Sequence, residues 1–286
     1  MLAAVAFVGV AFGVLGAVAV GVGDFLGGVA SRRSTAWGVT TVAWLGQAPM
    51  MVALAYLLKG GLDAAAIGPG LVAGVAGAVG GVFLYGGIAR GDVAIVAATS
   101  GVLASSGAAL YDAVSGVALP AVTWAGIALA VPAIVLVAGG GVEIGKVSLR
   151  GLGAGLGAGG SFALFYVLIG VTGGENGDPT VVAVVAATAG LLLLVTAPLR
   201  PGPVMPRGSA LGISLAAAAL SGLHLGALLF AVKYGSVATG TVLVSQYPAF
   251  TVLMAALVWG QRPTRLQVVG LLLALLAVGM IASATP

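Results

Sequence analysis

Long apolar stretches alternate with short polar breaks along the whole of this 286-residue chain. Runs of 18 or more apolar residues recur, each long enough to cross roughly 30 Å of hydrocarbon as an α-helix. The pattern predicts spans at 3–29, 36–58, 68–89, 93–114, 121–141, 150–172, 179–199, 209–231, 237–259 and 265–283. The breaks carry charges and turn formers, as in Ser31-Arg32-Arg33-Ser34, Lys59-Gly60-Gly61, Arg90-Gly91-Asp92 and Arg200-Pro201-Gly202-Pro203. A closed β-barrel would show short segments of alternating polarity instead. The first run has no basic flank and outruns a signal-peptide core of roughly 7–15 residues, so it reads as a retained helix.

The halves of this pattern resemble each other. Gly9, Gly13, Ala17 and Gly21 fall at four-residue spacing in the first span, and Gly151, Gly155 and Gly159 do so in the sixth. Residues four apart share a helix face, so each set is a smooth ridge on which another helix can pack. Gly126 in Trp124-Ala125-Gly126-Ile127 is echoed by Gly270 in Val268-Val269-Gly270-Leu271, 144 residues later. We therefore divide the chain into a first five-helix repeat, 1–143, and a second, 144–286, forming one transmembrane domain. Five spans is an odd number, so the second repeat must enter the membrane from the opposite side. The expected fold is all-α and integral to the membrane, with ten helices as two inverted five-helix repeats. Such a fold places its site at the interface of the halves.

Composition agrees. Hydrophobic residues make up 60% of the chain and charged residues 6%, against roughly 25% charged in a soluble domain. The 49 glycines would weaken water-exposed helices but let helices pack closely in lipid. The chain has no cysteine, so thiolate chemistry is absent, and no cofactor is expected. A net charge of +4, thinly scattered, does not suggest nucleic acid. The odd-numbered loops hold Arg32, Arg33, Arg90, Lys146, Arg150, Arg200, Arg207, Arg262 and Arg265, and the even-numbered ones Lys59 and Lys233. That asymmetry places the odd loops in the cytoplasm and both termini outside.

The last fifty residues contain Tyr234-Gly235-Ser236, Ser245-Gln246-Tyr247-Pro248-Ala249-Phe250-Thr251, Trp259-Gly260-Gln261-Arg262-Pro263-Thr264 and Gln267-Val268-Val269-Gly270. This pattern resembles the EamA family of the drug/metabolite transporter superfamily. Gly23-Asp24-Phe25-Leu26-Gly27-Gly28 with Ser31-Arg32-Arg33, and Gly91-Asp92-Val93-Ala94-Ile95, extend the resemblance to the first half. The resemblance implies a multi-pass transporter of the bacterial inner membrane, monomeric or dimeric, with its N-terminus in the cytoplasm. That last expectation opposes the charge count. The chain departs from the family at Gly260-Gln261, where Gly-Glu is usual, and at Ala98-Thr99 and Gly116-Val117 in the first repeat.

Polar residues at membrane depth are the candidates for function. Asp24 lies in the first span, where a carboxylate costs roughly 2.5–3.5 kcal/mol on insertion scales and should face a cavity or a partner. It can hold a substrate ammonium or a coupling proton; alternatively it sits near the interface and meets Arg32 or Arg33. His224, the sole histidine, is either a proton site or a neutral ring bonded to another helix. Ser221 shares its face. Pro248 lacks an N–H and should kink the ninth span, making Gln246, Tyr247 and Pro248 candidates for a cavity wall. Trp44 and Gln47 in the second span, Tyr85 in the third, Ser100 and Ser105 in the fourth, and Phe165 and Tyr166 in the sixth could complete that wall.

Three function classes follow. The first is a secondary transporter, an exporter of an amino acid, an amphipathic amine or a similar small metabolite, with protons as the coupling ion. The second is a pore or uniporter without ion coupling. The third, a membrane enzyme, needs clustered carboxylates, histidines or metal ligands, and seven acidic residues with one histidine are too dispersed for that. The expected partners are lipid and a small-molecule substrate.

Overall fold

The computed structural model describes residues 2–61, 64–116, 118–139, 148–173, 179–234 and 246–282. Among them are ten α-helices and no strand: α1 (Leu2–Arg33), α2 (Ala36–Leu57), α3 (Ala64–Ala89), α4 (Val93–Val114), α5 (Ala121–Gly139), α6 (Leu149–Gly173), α7 (Pro179–Thr196), α8 (Ser209–Tyr234), α9 (Tyr247–Trp259) and α10 (Arg265–Ala282). Seven contain stretches long and apolar enough to span a membrane, and α5, α9 and α10 are shorter apolar helices. The chain is an integral, multi-pass membrane protein, and the expected fold class stands.

Several ends differ from expectation. α1 runs on through Arg32 and Arg33, which occupy its last turn and complement the negative end of the helix dipole. α3 begins at Ala64 and α8 continues to Tyr234. In the ninth span the described helix begins at Tyr247 with Pro248 in its first turn, where a missing N–H forfeits no intrahelical bond. The expected kink falls on the preceding stretch 237–245, including the Val244 carbonyl, which lies outside the described residues. Left-handed glycines close two tight turns: Gly91 (φ +96°) joins α3 to α4, and Gly260 (φ +66°) ends α9.

The packing repeats itself when each helix is exchanged with the one five places along. α1 lies on α8 as α6 lies on α3, α1 on α9 as α6 on α4, and α2 on α8 as α7 on α3. α5 pairs with α10, α2 with α7 and α4 with α9. One pair carries the relation to atomic detail. A Cβ added at Gly126 would lie 2.9 Å from the Ala277 carbonyl oxygen, and one added at Gly270 would lie 2.9 Å from that of Ala133. Gly126 and Gly270 are 144 residues apart, and so are Ala133 and Ala277. Each contact is thus the image of the other. Residue numbers rise along α5 as they fall along α10, so these equivalent helices are antiparallel. A two-fold axis relating them must be perpendicular to both, which for spanning helices is the membrane plane. That relation is the inversion expected from the odd helix count.

The glycine ridges are packing surfaces. Gly21 on α1 meets the Tyr247 carbonyl and Phe250 of α9, while Gly151, Gly155 and Gly159 on α6 meet Asp92, Thr99 and Ser100 of α4. Backbone atoms stand opposite Gly270, including the Val137 nitrogen at 2.8 Å from an added Cβ, whereas nothing lies within 4 Å of one at Gly153. Gly270→Ala should therefore lower stability by about 1–3 kcal/mol through overpacking. Gly153→Ala should leave it unchanged or raise it by less than about 1 kcal/mol. Thermal unfolding of the two variants in one detergent checks the contrast.

Candidate functional site

Helical period decides which side chains can share a wall, and five helices each turn one face toward the same point. Val20 and Asp24 on α1, Thr40, Ala43, Trp44 and Gln47 on α2, Gly81, Leu84 and Tyr85 on α3, Phe162, Phe165 and Tyr166 on α6, and Ser221, His224 and Leu225 on α8 line one cavity of about 90 Å³, with Tyr247 of α9. Their spacings of three and four are those of a single helix face. Asp24 is nine residues from the end of α1, and Tyr247 is twelve from the end of α9. At 1.5 Å per residue these are roughly 13 and 18 Å from the odd-loop face, near mid-membrane. Both halves contribute.

Glycines on α1 and α3 make room for the large side chains. A Cβ at Gly77 would lie 2.7 Å from the Trp44 ring and 3.2 Å from that of Phe165, and one at Gly80 would lie 2.8 Å from Phe162. Gly27 on α1 receives the Tyr85 ring. The aromatic wall is continuous: Trp44 and Phe165 have centroids 5.9 Å apart, and Phe165 and Tyr166 are 5.1 Å apart at 78°.

The polar groups of the cavity differ in how they are satisfied. Asp24 is 7% exposed, and no Lys or Arg among the described residues lines the cavity with it. It faces the cavity rather than Arg32 or Arg33, which point elsewhere: Arg32 Nε donates to the Ala89 carbonyl at 2.7 Å, and Arg33 donates to Ser209 Oγ at 3.2 Å. His224 Nδ1 is 3.2 Å from the Gly16 carbonyl oxygen. A carbonyl can only accept, so Nδ1 carries the proton and the neutral ring keeps Nε2 as an acceptor. Tyr85 and Ser221 bring two hydroxyls to the same cavity. Gln47 is 3% exposed and its Oε1 has no partner among the described residues.

Four of the sequence candidates do not line this cavity. Ser100 is buried beside it, 3.5 Å from the Tyr247 hydroxyl. Ser105 bonds the Gly101 carbonyl of its own helix, which removes its hydroxyl from any wall. Gln246 caps α9, and its Nε2 donates to the Leu275 carbonyl at 3.4 Å. Pro248 packs on Gly101. Conversely, sequence reasoning passed over Thr40 and Phe162. Both were findable, because Thr40 shares a helix face with Trp44 and Gln47, and Phe162 with Phe165 and Tyr166.

The cavity has a roof and a floor. Toward the even loops, Met51, Leu54, Val182, Ala183 and Leu225 form an apolar cluster, and Phe12 stacks on Phe230. Level with the cavity, Thr251 Oγ1 donates to the Gly21 carbonyl at 3.1 Å and joins α9 to α1. Toward the odd loops, the Arg32 guanidinium lies 3.3 Å from the Trp259 ring centroid, and Trp259 packs against Phe25 at 4.7 Å. Arg32 thereby ties α1 to α3 and α9. Beyond the floor, a cleft of about 550 Å³ opens between Asp92–Ile95 at the start of α4 and Gln261–Thr264 after α9.

Residues 149–283 match the EamA-like transporter family. That family is part of the drug/metabolite transporter superfamily, and the match covers most of the second repeat, slightly less than half of the chain. The crystal structure of a protein 17% identical to this chain superposes with a TM-score of 0.67, covering 99% of this chain and 96% of that one. At that identity the likeness speaks for the fold. No curated protein matches the chain.

Arg32 offers a local test of the floor. Arg32→Gln removes a charged donor and a cation–π contact, together worth about 1–2 kcal/mol at an exposed site. Amide hydrogen exchange should accelerate about tenfold or more around 86–90 and 257–261, and stay unchanged across α5 and α10.

Proposed function

We propose that this protein is a secondary carrier that exports a small metabolite, an amino acid or an amphipathic amine, by alternating access between inverted repeats 1–143 and 144–286, with Asp24 taking substrate and proton in turn. The observation that carries this reading is the placement of Asp24. A carboxylate with no cationic neighbour among the described residues lines a mid-membrane cavity shared by both halves. A charged side chain at that depth is expensive, and a site that must accept and release a cation or a proton gives it a purpose.

Roof and floor differ in kind, which suits two alternately opened faces. The roof is an apolar cluster that parts without leaving polar groups unpaired. The floor is the Arg32 clasp on the Ala89 carbonyl and the Trp259 ring. The arginine-rich odd-loop face is cytoplasmic in this reading, by the positive-inside rule. The cleft at Asp92–Ile95 is then the cytoplasmic vestibule, and α9 connects the two spaces, since Tyr247 lines the cavity while Val252 and Ala255 line the cleft. Nine sequence candidates, Asp24, Trp44, Gln47, Tyr85, Phe165, Tyr166, Ser221, His224 and Tyr247, form the proposed binding site.

The test is transport by purified protein in liposomes, with a panel of radiolabelled amino acids and methylated ammonium compounds. A carrier gives saturable uptake of at least one compound, counterflow, and a response to an imposed pH gradient. Asp24→Asn should cut the gradient-driven rate at least about tenfold, the scale of one lost charged interaction, with elution and helicity unchanged. Flux that never saturates and shows no counterflow would identify a pore. Undiminished gradient-driven transport by Asp24→Asn would remove Asp24 from the mechanism.

A further inference from the structure

The central cavity offers acceptors without a matching cation. Asp24 brings a carboxylate, and His224 presents Nε2 because Nδ1 is committed to the Gly16 carbonyl. Gln47 holds a buried Oε1 with no partner among the described residues. A buried carbonyl oxygen without a partner is costly, so Gln47 gains when a donor enters. An ammonium group brings three N–H donors and one positive charge. A carboxylate ligand would find no Lys or Arg among the described residues of the wall and would face Asp24 directly. The rest of the lining suits a cation with an apolar body. Trp44, Phe165 and Tyr166 supply a continuous aromatic wall, whose ring faces attract positive charge and whose bodies cover hydrocarbon. Size narrows the class further. The cavity is about 90 Å³, below the roughly 150 Å³ of an apolar cavity that holds benzene.

We propose that the central cavity selects a small aliphatic primary ammonium ion of about three to five carbons, with Asp24, Gln47 and His224 accepting its N–H groups, over zwitterions and anions of the same length. The proposal rests on the reading of this cavity as the transport site and names its ligand class. It sets the amine apart from the amino acid, because the zwitterion's carboxylate has no cationic partner here.

Calorimetric titration of the full-length protein in detergent at pH 7 tests it with four ligands of matched chain: n-butylamine, n-butanol, butyrate and norvaline. n-Butylamine should give a saturable heat and raise the melting temperature, with the other three at least about tenfold weaker. Asp24→Asn should weaken amine binding at least about tenfold, and Gln47→Leu about three- to tenfold, with both variants eluting and melting as folded protein. The ligand series on the unmodified protein keeps the test decisive where a variant misfolds. Absence of saturable amine binding up to 50 mM, roughly −2 kcal/mol in affinity, overturns the proposal. So does norvaline or butyrate binding as tightly as the amine, or amine binding undiminished in Asp24→Asn. Counterflow of an amino acid without amine binding would sink the ligand class while leaving the carrier intact. Amine binding without counterflow of any compound would sink the carrier and leave the ligand class standing.

Discussion

Helix backbones in this protein approach until only a glycine fits between them, and the rest of the structure depends on that closeness. Lipid tails are as apolar as leucine, so burying hydrocarbon between helices gains little in a membrane; dispersion contacts and close packing must hold the bundle. Gly126 and Gly270 lock α5 to α10, Gly21 seats α1 against α9, and Gly155 and Gly159 seat α6 against α4. These contacts cross between the halves, so neither half is packed without the other. The same economy of volume makes the cavity. Gly77, Gly80 and Gly27 accept Trp44, Phe162 and Tyr85, which lets large rings line a central space without forcing the helices apart.

That space resolves a second constraint. A carboxylate in hydrocarbon is costly, and Asp24 has no ion pair to offset the cost among the described residues. Its position in a cavity with hydroxyls, an amide and an imidazole lets water, proton or ligand do so instead. The apolar roof and the arginine-clasped floor then become parts of one device, since each must yield for the cavity to meet water on its side. Inversion makes the two openings related events, because the helices that form one face in the first half have counterparts facing the other way in the second.

Much of the fold was legible in the chain. Ten apolar runs, their odd number per half and the 144-residue echo from Gly126 to Gly270 define the topology, because length and hydropathy are all that lipid requires of a span. The ends were less legible. α1 absorbs Arg32 and Arg33 because a basic last turn favours a helix end, and Pro248 reads as a kink or a start depending on where its helix begins. For the site, buried polar and aromatic residues were the right class to examine, and nine of thirteen candidates meet in one cavity. The exceptions have local causes. Ser105 satisfies its hydroxyl on its own helix, Gln246 is turned toward Leu275, and Ser100 and Pro248 stand one layer behind the wall.

The sequence by itself determined that the chain spans the membrane, that its halves are equivalent and inverted, and that Asp24 and His224 belong to apolar spans. These follow from residue type and spacing along single helices. The tertiary structure alone decided which faces meet. It brought Thr40 and Phe162 into the wall beside residues more than a hundred positions away, turned Asp24 away from the nearby Arg32, and set Nδ1 of His224 on Gly16 across 208 residues. Rotation of a helix about its own axis is fixed by the ridges it packs against, and those ridges belong to the other half of the chain.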